Sequence, residues 1–296
     1  MNYYNEIKTE LINNEITKRV KDYSKNRSDL NTYYNVGKLL AEAGKHYGEG
    51  IIKEYSDRLS SELNIKYSVR TLYKIIKYFN YMNKQKVPTV SAKLSWSHYD
   101  ELLKLTDENI INYYIKISEE QNLSVRELRK KIKSNEYERL DEETKKKLKT
   151  KEELKVPDLV KNPIQIKNTS GNNEISEKIL QKLILEDISS FLKELGSGFS
   201  FIDNEYKIKM GDRYNYIDLL LYNIKYKCYV VVELKVTELN SNHTGQIQKY
   251  MNYMDKNIKS IDDNKTVRIR ICKKENKYVI EYCSDDRIIS REYELV

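Results

Sequence analysis

Glycine, proline and cysteine are scarce in this chain, at nine, three and three among 296 residues. The cysteines, Cys228, Cys272 and Cys283, form no Cys-x-x-Cys pair, which sets aside zinc-ribbon and disulfide-scaffold readings. Cys228 sits in an apolar, strand-like run where a buried thiol is the plain expectation. A glycine-rich phosphate loop and an internal repeat are both missing, so P-loop and solenoid architectures fall away. Apolar runs last about eight residues, against the roughly 20 that cross a bilayer. The stretch MNYYNEIKTELINN has neither an apolar h-region nor a cleavage pattern. The expectation is a soluble, cytoplasmic protein with no membrane contact.

What is abundant is charge. Against 45 Asp and Glu stand 53 Lys and Arg, a formal net charge of +8 and a pI near 9.0. That balance suits a polyanionic partner, nucleic acid first. Lys, Asn, Ile and Tyr dominate the rest, a composition that fits an AT-rich bacterial or phage genome. The length accommodates two domains with their own cores.

Residues 1–140 read as an all-α, helix-turn-helix-like domain. IKTELINNEITKRVKDYSK, NTYYNVGKLLAEAGKHYG, IIKEYSDRLSSEL, SVRTLYKIIKYFNYMNK and HYDELLKL carry apolar residues at helical steps with charges between. Ser68 and Ser124 stand where N-caps belong, and Glu127 completes a capping box with Ser124. Residues 141–173 hold two of the three prolines and a lysine cluster, which predicts a basic linker, helical at its start. Residues 174–296 open with an amphipathic helix, KILQKLILEDISSFLKEL, that stops at glycines. FSFIDNEYKIKM, NYIDLLLYN and KCYVVVELKV then read as strands, GQIQKYMNYMDKN as a helix, TVRIRICKK and KYVIEYC as further strands. The expected fold is an α/β domain with a mixed sheet.

Two segments of the first half have helix-turn-helix shape, and the second ends in the basic SVRELRKKIKS. Arg70 and Lys74 in the first and Arg126, Arg129 and Lys130 in the second are the candidate nucleic-acid contacts, since a recognition helix sets its N-terminal residues on base edges and neighbouring cations on phosphates. A plain helical bundle with a solvated basic face is the competing reading. Tyr73, Tyr78 and Tyr81 are spaced for core packing as well as for base stacking. His46 and His98 are expected to be structural, and Trp96 an aromatic anchor beside a helix start.

The strand VVVELKV holds two charges in an otherwise apolar run. Glu-x-Lys also begins at Glu6, Glu143, Glu153, Glu205 and Glu275, so the tripeptide alone says nothing. Only Glu233-Leu234-Lys235 ends a continuous apolar run and follows a second such run with one carboxylate, Asp218 in YIDLLLY. Strand alternation sends Glu233 and Lys235 to one face and Val232, Leu234 and Val236 to the other. A hairpin through NIKYK brings Asp218 beside Glu233. Two facing carboxylates repel unless a cation or proton compensates them, and Mg²⁺ does so with waters and substrate phosphate in its remaining positions.

This constellation resembles the PD-(D/E)XK nuclease superfamily. FLKELGSGFSFI, YIDLLLYN, CYVVVELKV and GQIQKYMNYMD are similar to the C-terminal, restriction-endonuclease-like domain of YhcG-type nucleases, and LSWSHYDELLKL with GEGIIKEYSDRLSSEL is similar to their winged-helix-like N-terminal domain. The resemblance implies that Asp218 and Glu233 hold Mg²⁺, with Mn²⁺ able to substitute, and that Lys235 orients or activates the attacking water. Gln246 and Tyr250 match a Gln-x3-Tyr element on the following helix, although Tyr250 also fits core packing with Met251 and Met254. The family's first core helix commonly carries a glutamate where Gln181 stands here. Glu177, one turn earlier, is the possible replacement carboxylate, and Glu186 lies on a different face. An Arg-Gln pair of the family reads Asn204-Glu205. His243 is expected to be a loop residue without a role.

The expected function is a Mg-dependent DNA endonuclease, in recombination, repair or defence against foreign DNA. A non-cleaving DNA-binding or recombination accessory protein with a nuclease-like fold is the alternative, and a defence component that needs partner subunits is a third. Nothing in the sequence reads a 2′-hydroxyl, so RNA stays open beside DNA. A homodimer is one way for single active sites to cut both strands of a duplex.

Overall fold

The computed structural model describes residues 3–19, 25–48, 50–85, 93–169, 171, 175–238, 244–274 and 287–296. The chain divides into two units, Met1–Ser134 and Asn135–Val296. The first consists of α1 (Tyr3–Arg19), α2 (Lys25–Tyr47), α3 (Gly50–Leu63), α4 (Val69–Gln85), α5 (Trp96–Leu102), α6 (Glu108–Gln121) and α7 (Val125–Lys133). Ile7, Leu11, Val36, Leu40, Ile52, Leu59, Leu72 and Ile75 form a core of α1 to α4. Gly37 lets α2 and α4 touch backbone to backbone: a Cβ there would lie 2.6 Å from the Ile75 carbonyl oxygen.

Helix starts follow the sequence signals. The Thr71 N–H donates to Ser68 Oγ at 3.2 Å, and Ser124 and Glu127 form the expected capping box. Asn122 closes α6 in the left-handed region at φ 50°. His98 is buried, with Nδ1 against Ser95 and Nε2 2.9 Å from the Leu123 carbonyl oxygen, so it ties the start of α5 to the α6–α7 turn. Trp96 packs on Tyr33 and Tyr78. Tyr78 and Tyr81 are buried, whereas Tyr73 is exposed.

The second unit contains α8 (Glu142–Thr150), α9 (Val156–Leu159), β1 (Ile164–Ile166), α10 (Glu177–Glu186), α11 (Ile188–Leu195), β2 (Phe199–Met210), β3 (Arg213–Asn223), β4 (Cys228–Glu238), α12 (Thr244–Asn257), β5 (Val267–Lys274) and β6 (Ile288–Leu295). Its sheet runs β1-β6-β5-β4-β3-β2. β2, β3 and β4 pair antiparallel, while β4, β5, β6 and β1 pair parallel, which makes the sheet mixed as expected. Leu219, Leu221, Val230, Val232, Leu234, Ile269 and Ile271 pack with α10 and α11 on one face. Leu220 and Val231 pack with Met254 of α12 on the other. Cover on both faces is why β4 reads as a nearly unbroken apolar run. β2 is an edge strand with a bulge between Phe201 and Asp203, and Glu205 sits at φ 50°. Among the described residues no helix is long and apolar enough to cross a membrane.

Three expectations need correction. Residues 141–173, read as a linker, contribute α8, α9 and β1 to the second unit, because Val156, Val160, Ile164 and Ile166 are buried in its core. Arg291 fastens the same stretch, donating from Nε to the Val160 carbonyl at 2.9 Å and pairing with Asp141. The single helix expected over KILQKLILEDISSFLKEL is two, α10 and α11. Asp187 leaves helical geometry and caps α11, its carboxylate accepting the Ser190 N–H at 3.1 Å. Finally, β6 comes from IISREYEL, which the sequence reading passed over, while KYVIEYC lies outside the described residues, as does Cys283.

The Asp187 carboxylate also pairs with Lys167, joining the α10–α11 break to the strand β1 segment. Asp187→Ala is expected to lower unfolding free energy by about 1 kcal/mol, measured by urea titration. Asp187→Asn, which keeps the cap, should recover most of the loss.

Candidate active site at the end of the β3–β4 ladder

β3 and β4 are paired from Asn223↔Cys228 to Leu219↔Val232. The next facing residues are Asp218 and Glu233, and pairing stops one residue short of them. Asp218 Oδ2 instead accepts the Leu234 N–H at 2.8 Å, so a side chain replaces the main-chain acceptor of an ordinary ladder. The two carboxylates predicted to meet are therefore cross-strand neighbours, with Lys235 two residues on.

Each charge has its own compensation. Lys235 Nζ donates to Glu177 Oε2 at 3.1 Å, across from the first turn of α10. Glu233 is met by two arginines of β5: Arg268 pairs with its Oε2, and Arg270 Nε reaches the same oxygen at 3.3 Å. Asp218 has the least. Burial pushes its carboxyl above the ordinary range, the Leu234 N–H and Lys235 pull it back, and Glu233 and Glu177 add to the rise. Arg268 is fully buried, which lowers its guanidinium to about 10.

Gln181 occupies the position where the resembled family has a glutamate. Its Nε2 donates to the Asp218 carbonyl oxygen at 2.9 Å, a bond that a carboxylate has no hydrogen to make. Glu177 is the helix carboxylate that reaches the site. Glu186 accepts from Thr169 Oγ1 at 2.5 Å. Tyr250 of α12 is half-buried among Leu220, Val231 and Met254. Burial raises its hydroxyl, as do Glu233 and Asp218, against the opposing pull of Arg268 and Lys235. Core packing and proximity to the charges thus coexist at this residue. Gln246 shares α12, four residues before Tyr250, but its side chain lies outside the described residues, as does His243. Asn204 lies on β2 opposite Leu219, and Glu205 follows it in the left-handed region.

The sequence reading missed Arg268 and Arg270. Their signal was present in TVRIRIC, where charged and apolar residues alternate as they do in VVVELKV. As for the site's capacity for metal, no three His, Cys, Asp or Glu among the described residues converge to hold an ion. This donor set does not make an all-protein cage of the zinc or calcium kind. It fits an ion that takes one or two carboxylates and fills its sphere with water and phosphate oxygens, with under-compensated Asp218 as the anchor.

The helical unit's candidates separate into two groups. Lys74 pairs with Asp100, and Arg129 Nη2 lies 2.6 Å from Glu101 Oε1, so both cations are engaged within the unit. Arg70, Arg126 and Lys130 are exposed. α3–α4 and α6–α7 are the two helix pairs joined by short turns that the sequence suggested.

The Asp218 shift carries a stability consequence. Because its carboxyl is raised, the burial penalty is absent while it is protonated and grows as pH rises through that raised value. Asp218→Asn keeps an oxygen for the Leu234 N–H and carries no charge. In EDTA near pH 8 this variant is expected to melt higher than wild type, by about 2–4 °C for each kcal/mol relieved. The advantage should vanish towards about pH 4. A variant that melts lower at pH 8 would show that the Asp218 charge is already compensated.

Comparison with known proteins follows the same division of the chain. Residues 157–295 match the family model described as the YhcG PDDEXK nuclease domain, and residues 9–139 match the DUF1016 N-terminal domain. A curated relative, "Putative nuclease YhcG" of Escherichia coli (strain K12), is 25% identical over 193 residues, 62% of this chain and 52% of that protein. The chain thus spans about half the length of that relative. Two solved structures share lesser likeness. A repair endonuclease from Pyrococcus abyssi is 18% identical over 43% of this chain and 49% of its own, with a TM-score of 0.30. An EndoMS–dsDNA2 complex is 16% identical over 44% and 49%, with a TM-score of 0.32. With a mixed sheet that carries the Asp-Glu-x-Lys set and a family model matched on each half, the chain belongs to the YhcG-type PD-(D/E)XK nuclease family.

Proposed function

We propose that the protein is a divalent-metal-dependent DNA endonuclease, with Mg²⁺ as the working ion and Mn²⁺ as a substitute. The observation that carries this reading is the cross-strand meeting of Asp218 and Glu233 with Lys235 two residues beyond. In it, Asp218 and Glu233 are the metal ligands and Glu177 an auxiliary carboxylate. Bound Mg²⁺ supplies Lewis acidity and lowers the pKa of water. The chain's own groups do the rest. Lys235, held by Glu177, offers a positive charge beside the attacking water and exchanges that partner for water or phosphate. Tyr250, with its hydroxyl raised, stays protonated at neutral pH and donates a hydrogen bond. Gln246, one helical turn away, shares that task of steadying lysine, water or phosphate.

DNA is brought to the site by the helical unit, with the exposed Arg70, Arg126 and Lys130 as the main contacts. Lys74 and Arg129 have smaller parts, since each must first leave a carboxylate. The second reading, a DNA-binding module that does not cut, draws support from Gln181, which spends its amide on the Asp218 backbone where the family has a carboxylate.

Cleavage of plasmid, single-stranded and branched DNA, and of RNA, in Mg²⁺ or Mn²⁺ separates the two. Asp218→Ala, Glu233→Ala and Lys235→Ala are each expected to slow cutting on the order of a hundredfold or more. Equal activity in all variants would refute the nuclease assignment, and DNA binding without cutting in any metal would favour the second reading. Arg126→Ala with Lys130→Ala should weaken DNA binding and reduce its salt slope by about one to two, measured by anisotropy at several salt concentrations. Arg129→Ala should change the slope less.

A further inference from the structure

Arg268 and Arg270 alternate along β5 on the side away from Val267, Ile269 and Ile271, and both converge on one carboxylate oxygen, Glu233 Oε2. Arg268 is 0% exposed and Arg270 is 3% exposed. A single oxygen leaves most of their donors over. Arg268 Nε and Nη1 and Arg270 Nη2 are buried without a hydrogen-bond partner among the described residues. Unmatched donors on a buried guanidinium are costly and mark a place where an acceptor is wanted. The site as a whole is also balanced: Asp218, Glu233 and Glu177 face Lys235, Arg268 and Arg270, three anions and three cations. Two carboxylates without the arginines would attract a divalent cation strongly. Two guanidiniums directly behind Glu233 cancel much of that attraction in a low-dielectric interior.

We propose that Arg268 and Arg270 make the site accept a phosphodiester in the absence of metal, and accept a divalent cation tightly only together with that phosphate. Both are positioning residues. They hold and neutralise Glu233, and two guanidiniums against that one carboxylate leave a local positive field, with unmatched donors, that favours an anion beside it. A phosphate restores the negative charge that the arginines removed, so the cation then binds to a site of the right sign. By linkage, the cation strengthens phosphate binding by the same factor. The inference rests on Asp218 and Glu233 being the metal-binding carboxylates.

The test uses the full chain and two measurements: calorimetric titration with Mn²⁺ alone, and anisotropy of a labelled DNA duplex in EDTA and again in Ca²⁺. Wild type is expected to bind the duplex in EDTA, to bind it more tightly in Ca²⁺, and to bind Mn²⁺ alone weakly. Arg270→Gln should bind Mn²⁺ alone about tenfold more tightly and DNA in EDTA several-fold more weakly. Arg270→Lys, which keeps the charge, should return both towards wild type. A purely structural role predicts the opposite sign, a loss of Mn²⁺ affinity, and that outcome or no change would overturn the proposal. Should Arg270→Gln fail to fold, Glu233→Gln reads the same balance from the other side. Removing the carboxylate must then raise DNA affinity in EDTA, and a fall would overturn the proposal. Cutting by wild type in Mg²⁺ is scored separately. If wild type cuts while Arg270→Gln gains no Mn²⁺ affinity, this inference fails alone. If wild type never cuts but both shifts occur, this inference stands and the nuclease reading fails.

Discussion

Glu233 stands in a strand covered on both faces, and it can do so because Arg268 and Arg270 meet it from the neighbouring parallel strand. An ionised carboxylate taken out of water costs several kcal/mol unless opposite charge and hydrogen bonds replace its hydration. That replacement fixes more than one residue. The register Glu233↔Arg270 aligns β4 with β5, and β4 in turn sets where β3 must stop pairing, at Asp218. The rest of the site inherits its geometry from this ion cluster: Lys235 is carried to Glu177, and Leu234 presents its N–H to Asp218. Breaking one arginine leaves a largely buried charge short of compensation, so the cluster is a requirement of the fold as much as of the site.

Gln181 shows the same economy of polar groups. A glutamate there could offer lone pairs to an ion but could not donate to the Asp218 carbonyl. The amide does donate, and it binds the helix α10 to the strand at the residue whose side chain accepts the Leu234 N–H. The chain therefore exchanges a charge for a hydrogen bond at one position, and retains a carboxylate one turn earlier, at Glu177, where it engages Lys235 instead.

The parts of this architecture visible in the sequence are those whose signals are local. Ser68 and Ser124 mark helix starts because a cap acts within four residues, and VVVELKV marks a central strand because burial on both faces leaves its charges conspicuous. Glu233 and Asp218 were paired from a short turn and an apolar run on each side. The illegible parts depend on partners distant in the chain. β1 is three residues whose pairing with β6 lies some 130 positions away, and its lysine-rich surroundings disguise Val156, Val160 and Ile164 as incidental apolar residues. The break at Asp187 was hidden because apolar spacing continues across it in phase, and only the capping bond to Ser190 distinguishes two helices from one. Arg268 and Arg270 carried the same alternating signature as β4, yet a positive charge in a strand finds its meaning only once the carboxylate opposite is known.

The bulged edge of the sheet has a consequence for solubility. A straight, unpaired β2 would offer a row of main-chain donors and acceptors to a second molecule. The irregularity at Phe201 and Asp203 and the left-handed Glu205 interrupt that row, and Asp203, Lys207 and Lys209 line the exposed strand with charge. The opposite edge, β1, is only three residues long. Neither border gives an incoming strand a long, flat, neutral partner, which disfavours edge-to-edge pairing between sheets of two copies.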